Sequence, residues 1–249
     1  MNNDIGPILN SWKYKSDDIN VRIIEGKDGK PKLQMRLDLG LLQMEMDGRP
    51  DGRRPARFES YLDFYESKCE NTPEEKFILT PSECLKLQQE SIQYYHRYLA
   101  LMKLEDFERV ARDTQRNLRV FDFVEKYSDS EDIIWTFLQY RPYVVMMHTR
   151  AQASLSIDVS DYELALKQID EGILEIESFY KTHAENLPEE KFELDFLKQW
   201  AEEIHELKPL SEEERLNREL EDAVEREDYE MAALIRDELN ILIEKREHH

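Results

Sequence analysis

The spacing of apolar residues changes from strand-like to helical near residue 57. Every second position is apolar from Leu33 to Leu39, which is typical of a strand with one buried face. The run Asn20–Glu25 precedes it, and the glycine-containing link 26–29 predicts that the two runs form a β-hairpin. After Gly40 the alternation resumes on even positions, which favours a β-bulge at Gly40, a third strand or a kinked second strand.

Residues 58–208 predict an antiparallel helical bundle or repeat-like body. Thr80–Glu83 combines a capping hydroxyl with proline at the first helical position, which is typical of a helix start. A later helix is expected to be interrupted or kinked at Pro142, because proline cannot donate a backbone hydrogen bond. After the helix that begins at Thr80, the predicted helices cover about 104–127, 128–157, 161–182 and 188–207. The start of the helix at Asp161 is similar to the second helix of a tetratricopeptide repeat, from which only similar packing is inferred.

Residues 211–249 predict a separate two-helix hairpin. Ser211–Glu214 matches a capping box, and Asp228 is placed to cap the second helix. The first helix carries a narrow apolar stripe of Leu216, Leu220, Ala223 and Val224. The second helix carries one broad face of Met231, Ala232, Ile235, Leu239, Leu242 and Ile243, and a separate line of Leu234 and Ile241.

This hairpin has more apolar surface than two helices can cover between them. A single partner helix covers an arc of about 100°, so the broad face and the line of Leu234 cannot both be covered. The hairpin is therefore expected to dock on a protein partner, on a second copy as in a homodimer, or on the body of its own chain. Arg236 is expected to fix the hairpin through an ion pair or a helix cap. The predicted docking residues are Leu220, Val224, Tyr229, Leu234, Ile235, Arg236, Leu239 and Ile241.

The segment Leu220–Leu239 closely resembles the UVR motif, and the match is carried by Glu227–Glu230, Ala232–Ala233 and Arg236–Asp237. That motif is shared by the B and C subunits of the bacterial excinuclease, by Clp-family ATPases and by the activator of the bacterial protein-arginine kinase. The resemblance implies a helical hairpin that joins protein to protein. The helicase, nuclease and zinc-binding segments of those relatives have no counterpart in this sequence.

The net charge of −21 argues against nucleic-acid binding over the whole surface, because such binding neutralises phosphates with Lys and Arg. The concentrated basic segment is the loop 48–57. Its arginines either bind an anion through bidentate hydrogen bonds or pair with the acidic residues of the same protein. The candidate anion-binding residues are Arg49, Arg53, Arg54 and Arg57.

No cofactor or metal is expected. Cys69 and Cys84 form neither a disulfide framework nor a four-ligand zinc site, and the sequence contains no phosphate-binding loop or nucleophile elbow. No apolar run approaches the roughly 18 residues of a membrane span, and the first residues lack the pattern of a signal peptide. We therefore expect a cytoplasmic protein that does not enter a membrane.

The leading hypothesis is a non-catalytic cytosolic adaptor. It has a small β-hairpin module with the arginine loop (1–57), a mainly α body (58–208) and the docking hairpin (211–249). The alternative is a DNA-repair accessory that docks on the excinuclease and contacts nucleic acid or phosphate through Arg49–Arg57. A third hypothesis is an enzyme that uses carboxylates such as Glu90 or Asp170 in a helical cleft.

Overall fold

The computed structural model describes residues 4–73, 77–187, 190–209 and 212–247, and for 212–214 and 241–247 it describes the backbone alone. The chain divides into two compact units, residues 1–202 and 203–249. The predicted mainly α fold, with a small N-terminal sheet and a C-terminal helix pair, is confirmed. The helices are α1 (Gly6–Ser11), α2 (Tyr61–Glu70), α3 (Pro81–Lys103), α4 (Phe107–Tyr127), α5 (Glu131–Leu138), α6 (Arg141–Asp158), α7 (Tyr162–Thr182), α8 (Phe192–Leu207), α9 (Glu212–Glu225) and α10 (Tyr229–Glu247).

The sheet of the first unit is a three-stranded antiparallel meander. It confirms the predicted hairpin and, of the three alternatives for the segment after Gly40, the third strand. Its strands are β1 (Asn20–Glu25), β2 (Pro31–Leu37) and β3 (Gly40–Glu45), in the order β1-β2-β3. The β-bulge at Gly40 is wrong, because Gly40 begins β3 and pairs with Leu37. The apolar residues change from odd to even positions because a two-residue turn sets Leu33 opposite Met44 across the two strands.

The central strand β2 is covered on both faces, so the prediction of one buried face is wrong for it. Leu33 and Met35 belong to a core cluster together with side chains of α3, α4 and α6. The opposite face carries Arg36, which is also buried because the segment after α1 covers it. Its guanidinium lies 5.7 Å from the ring centre of Tyr14, and its Nε donates to the carbonyl of Trp12. Alternation in the sequence cannot show this cover, because the cover comes from a segment outside the sheet.

The helical body follows its local start and stop signals closely. Thr80 and Glu83 form a complete capping box at the start of α3, as predicted. The predicted interruption near Pro142 is also present, because α5 ends at Leu138 and Pro142 lies in the first turn of α6. The residue Pro188, which was predicted to start α8, lies outside the described part of the chain. Helix α3 packs on α4, α4 on α6, and α6 on α7.

Helices α6 and α7 approach closely at the one glycine beyond the first 52 residues. A Cβ atom built on Gly172 would lie 2.2 Å from Oγ1 of Thr149. Glycine at this position therefore lets the two helix backbones come together. Among the described helices, none is long and apolar enough to cross a bilayer.

Candidate protein-docking site

The corner of the C-terminal hairpin is built by Glu227 and Asp228. Glu227 has the left-handed φ of 57°, which reverses the chain after α9. The Asp228 carboxylate accepts a hydrogen bond from the backbone N–H of Met231 at 3.1 Å and so caps α10 as predicted. The backbone N–H of Asp228 donates to the carbonyl of Ala223 at 2.9 Å, which ties the corner back to α9.

The two helices of the hairpin bury a short apolar seam between them. The seam residues are spaced three or four positions apart on each helix, as one helical face requires. They are Leu216, Leu220 and Ala223 on α9, and Ala232, Ile235 and Leu239 on α10; all are buried except the half-buried Leu220. Of the predicted docking residues, Leu220, Ile235 and Leu239 therefore hold the hairpin together.

Other apolar residues of the hairpin are left outside this seam, and we name them the uncovered set. Leu234 is 62% exposed, as its separate line in the sequence predicted. Met231, on the broad face predicted for α10, is 49% exposed, and Val224, on the stripe predicted for α9 and among the predicted docking residues, is 50% exposed. Both lie next to a seam residue in the sequence and turn away because the seam is narrower than the apolar pattern. Tyr229, at 68% exposed, completes the uncovered set.

Two further predicted docking residues, Arg236 and Ile241, belong neither to the seam nor to the uncovered set. The guanidinium of Arg236 donates to the carboxylate of the adjacent Asp237 at 2.9 Å, and both side chains are largely exposed. An exposed pair of this kind contributes little to stability, so Arg236 pairs as predicted but adds little to fixing the hairpin. The side chain of Ile241 lies outside the described part of the chain.

The corner of the hairpin occurs twice more in the body, at the α3–α4 and α6–α7 connections. In each case a left-handed residue, Glu105 or Ser160, precedes an aspartate whose carboxylate caps the next helix. The backbone N–H of that aspartate again donates to the carbonyl five residues before it. The three corners share the sequence Asp-aromatic-Glu, namely Asp106–Glu108, Asp161–Glu163 and Asp228–Glu230.

The aromatic residue at these corners differs in its cover. Phe107 is half-buried and packs against the core cluster of the sheet. Tyr162 is also half-buried, whereas Tyr229 is exposed. A position that packs in the body is therefore left open in the hairpin.

The arginine loop divides into residues that pair within the chain and residues that do not. Nε of Arg49 lies 3.1 Å from the carboxylate of Asp51 and 3.3 Å from that of Glu90, although it makes no hydrogen bond with either, and the Arg49 guanidinium lies over the Tyr61 ring. Arg54 forms an ion pair with Glu59. Among the described residues, Arg53 and Arg57 have no ion-pair partner, and both are exposed. The internal pairing predicted as one alternative therefore accounts for half of the loop's arginines.

The two carboxylates considered for catalysis lie in very different places. Glu90 is fully buried and accepts hydrogen bonds from the backbone N–H of Tyr61 at 2.8 Å and from the guanidinium of Arg116. It thereby caps the start of α2. Asp170 is exposed on α7. The structure thus does not bring Glu90 and Asp170 together in one described site.

A buried ion pair that the sequence analysis missed joins the loop after β3 to the helices. Arg97 donates to Asp113 through Nε at 2.6 Å and through a second guanidinium nitrogen at 2.8 Å, and both side chains are fully buried. Arg97 also donates to the carbonyls of Glu45 and Gly48, at 3.1 and 2.7 Å. The sequence did contain a signal for this pair, because Arg97 and Asp113 are charged residues on the buried faces of their helices. It could not show that they pair, because the two residues lie on different helices.

At the edge of this network, charge pairs hold Asp47 against α4. Arg109 and Arg112 both donate to its carboxylate, at 3.0 and 2.6 Å. The hydrogen bond from Arg109 and the nearby charges lower the pKa of Asp47. The loop that follows β3 is therefore fixed to the helical body by several arginines.

The comparison with protein-family models identifies the hairpin. The model of the UVR family, described as the UvrB/uvrC motif, matches residues 214–242, which begin in α9 and end in α10. Neither the curated proteins nor the solved structures gave a match to the chain. The match contains the seam, the corner and the whole uncovered set. Residues 214–242 of this chain therefore match the UVR motif.

Proposed function

We propose that this chain is a non-catalytic adaptor whose C-terminal UVR hairpin docks a protein partner. The observation that carries the proposal is the exposure of Leu234, 62%, on a helix whose neighbouring residue Ile235 is buried in the seam. The hairpin has one apolar face for its own assembly and further apolar residues outside it. Docking surfaces commonly combine such an apolar centre with a polar rim.

The size of the seam supports this use of the hairpin. Two of its six residues, Ala223 and Ala232, are alanines that bury little apolar area. Folds of fewer than about 40 residues seldom reach stability from their own core. A partner that covers Leu234 and Tyr229 would add the apolar burial that the seam lacks.

The charge of the hairpin indicates the chemistry of that partner. Residues 212–247 contain fourteen acidic and six basic side chains. A second copy would bring the same excess of negative charge to the interface, which opposes association at low salt. A foreign protein with an apolar patch and a basic rim fits this surface better than a homodimer does.

The test compares Leu234→Asp with a matched control, Leu174→Asp, in the full chain. Leu174 is a leucine on α7 with 65% exposure, so its substitution changes surface charge equally but leaves the hairpin intact. Covering the exposed part of Leu234 is expected to contribute about 1 to 2 kcal/mol, and a buried carboxylate costs more. We therefore expect at least a tenfold loss of affinity in Leu234→Asp and none in Leu174→Asp.

The measurement has two steps. Tagged wild type, Leu234→Asp and Leu174→Asp first capture proteins from the native cell extract, and a partner is a protein lost in Leu234→Asp alone. Its affinity is then measured with purified components at several salt concentrations. Equal retention by all three chains would contradict the proposal. Sedimentation of the purified chain tests whether the partner is instead a second copy. A dimer that dissociates in Leu234→Asp would identify a second copy as the partner.

The arginine loop supports a second candidate function, a local contact with nucleic acid or phosphate. The observation that favours it is the exposure of Arg53 and Arg57 without an ion-pair partner among the described residues. Arg53→Glu with Arg57→Glu is then expected to abolish any salt-dependent DNA binding. Lys167→Glu, an exposed cation on α7, is the control. DNA binding that survives the double substitution would remove the loop from consideration.

A further inference from the structure

A cavity of about 470 Å³ lies in the first unit, between α3, α4, α5 and α6. Its volume falls in the range of about 300 to 1,000 Å³ that is typical of small-molecule sites. Ile92 and Tyr140, which line it, are 50% and 56% exposed and mark its mouth. Neither the UVR motif nor the arginine loop contributes a residue to it.

Aromatic rings form much of the cavity wall. Tyr95 is in contact with Tyr98 in an edge-on arrangement at 5.5 Å between ring centres, and with Tyr143 at 6.3 Å. Phe121 and Phe137, 6.2 Å apart, line the same cavity. Aromatic walls bind flat rings well, through offset or edge-to-face contacts.

The lining is free of formal charge. None of the described residues that line the cavity is Asp, Glu, Lys or Arg, although 36% of the whole chain is charged. A charged ligand would lose its hydration here without gaining an opposite charge, which is costly. The ligand that fits is therefore neutral.

One polar atom in the cavity wall lacks a partner. Nδ1 of His96 is buried and has no hydrogen-bond partner, and burial lowers the pKa of His96, so the ring is neutral near neutral pH. Tyr98, a residue that is 1% exposed, also lines the cavity. Buried polar groups are normally paired, so a bound molecule with its own hydrogen-bonding group would give Nδ1 of His96 a partner.

We propose that this cavity binds a small, neutral, planar aromatic molecule that carries a hydroxyl or a similar hydrogen-bonding group. The rings of Tyr95 and Tyr143 contact its flat face or edge. The hydroxyl of Tyr98 and the imidazole of His96 hydrogen-bond its polar group. The cavity shares no lining residue with the hairpin, so the proposal stands independently of protein docking.

The test uses the full chain and the probe 2-naphthol, a neutral, fluorescent aromatic alcohol. Its anionic analogue, naphthalene-2-sulfonate, has the same ring system and serves as the charge control. Saturable binding of 2-naphthol and much weaker binding of the sulfonate are expected. Tyr98→Phe keeps the ring and removes the hydroxyl, which should weaken 2-naphthol binding about three- to tenfold.

The matched control is Tyr180→Phe. Tyr180 is buried on α7 and its hydroxyl donates to Glu193, so the substitution also removes a buried hydroxyl but lies outside the cavity. It should leave the affinity for 2-naphthol unchanged. Thermal melting of each variant establishes that it is folded before binding is measured. The proposal is overturned by an absence of saturable binding, by equal binding of the sulfonate, or by equal effects of the two tyrosine substitutions.

Discussion

The buried pair of Arg97 and Asp113 gives the sharpest prediction about stability. Asp113→Ala removes both hydrogen bonds that the carboxylate accepts from Arg97 and leaves that guanidinium buried beside two backbone carbonyls. Removing one partner of a buried ion pair costs about 3 to 5 kcal/mol, because the remaining charge is uncompensated. That cost is a large fraction of the roughly 5 to 15 kcal/mol that stabilises a typical domain.

The expected result is a lower free energy of unfolding, measured by urea denaturation of the full chain. The midpoint should fall while the slope with urea stays constant, which shows that the native state remains compact. Asp47→Ala is the control, because Asp47 also pairs with arginines of α4 but its side chain is 64% exposed. Exposed pairs contribute at most about 1 kcal/mol, so its unfolding midpoint should change little.

A double substitution separates the interaction energy between Arg97 and Asp113 from the contribution that each residue makes alone. Arg97→Met with Asp113→Leu removes both charges, so its cost should be smaller than the sum of the costs of the two single substitutions. It should remain less stable than wild type, because the carbonyls of Glu45 and Gly48 lose their donor. An Asp113→Ala protein within about 1 kcal/mol of wild type would refute the reasoning about the buried charge.

Three further predictions concern other parts of the chain. Burial lowers the pKa of His148 below its ordinary value, so the unfolded chain binds a proton at a higher pH than the folded chain does. The stability that depends on neutral His148 is therefore complete above about pH 6.5 and is lost as the pH falls through the folded pKa. His148→Gln should flatten this part of a profile of urea midpoint against pH. Gly172→Ala should lower the free energy of unfolding by about 1 to 3 kcal/mol, because the added methyl group overpacks the contact between α6 and α7. Adding Thr149→Ala to that variant should restore the melting temperature. A Gly172→Ala protein as stable as wild type would rule out the close approach. Asp228→Ala should lower the stability of the hairpin by about 0.5 to 2 kcal/mol and speed amide hydrogen exchange in α10. The control Asp161→Ala should speed exchange in α7 alone. Unchanged exchange in α10 of the Asp228→Ala protein would show that the cap is dispensable.

Short-range features were predictable from the sequence because their partners lie within a few residues. The capping box at Thr80 and the cap at Asp228 each join groups three positions apart. The β1–β2 hairpin follows from alternation and a short glycine-containing link. The exposure of Leu234 also follows from the helical period, since it lies far from the seam residues around the helix axis.

The prediction of one buried face for β2 was wrong because the cover of its second face comes from a distant segment. Arg36 looks like an exposed strand residue, yet Trp12 and Tyr14 cover it from the segment after α1. Met231 and Val224 lie on the apolar faces predicted from the sequence, yet the seam of the hairpin is too narrow to cover them.

The sequence by itself determined the β1–β2 hairpin, the start of α3, the corner of the C-terminal hairpin and the match to the UVR motif, since local backbone chemistry and helical period are sufficient for each. The tertiary structure alone decided which arginines of the loop have no ion-pair partner among the described residues, because Arg49 pairs with Glu90, which lies 41 positions further along the chain. It alone placed Arg97 on the carbonyl of Gly48, and it alone formed the aromatic cavity from four helices. These features depend on contacts between segments that are close in space and distant in the chain, which no local pattern records.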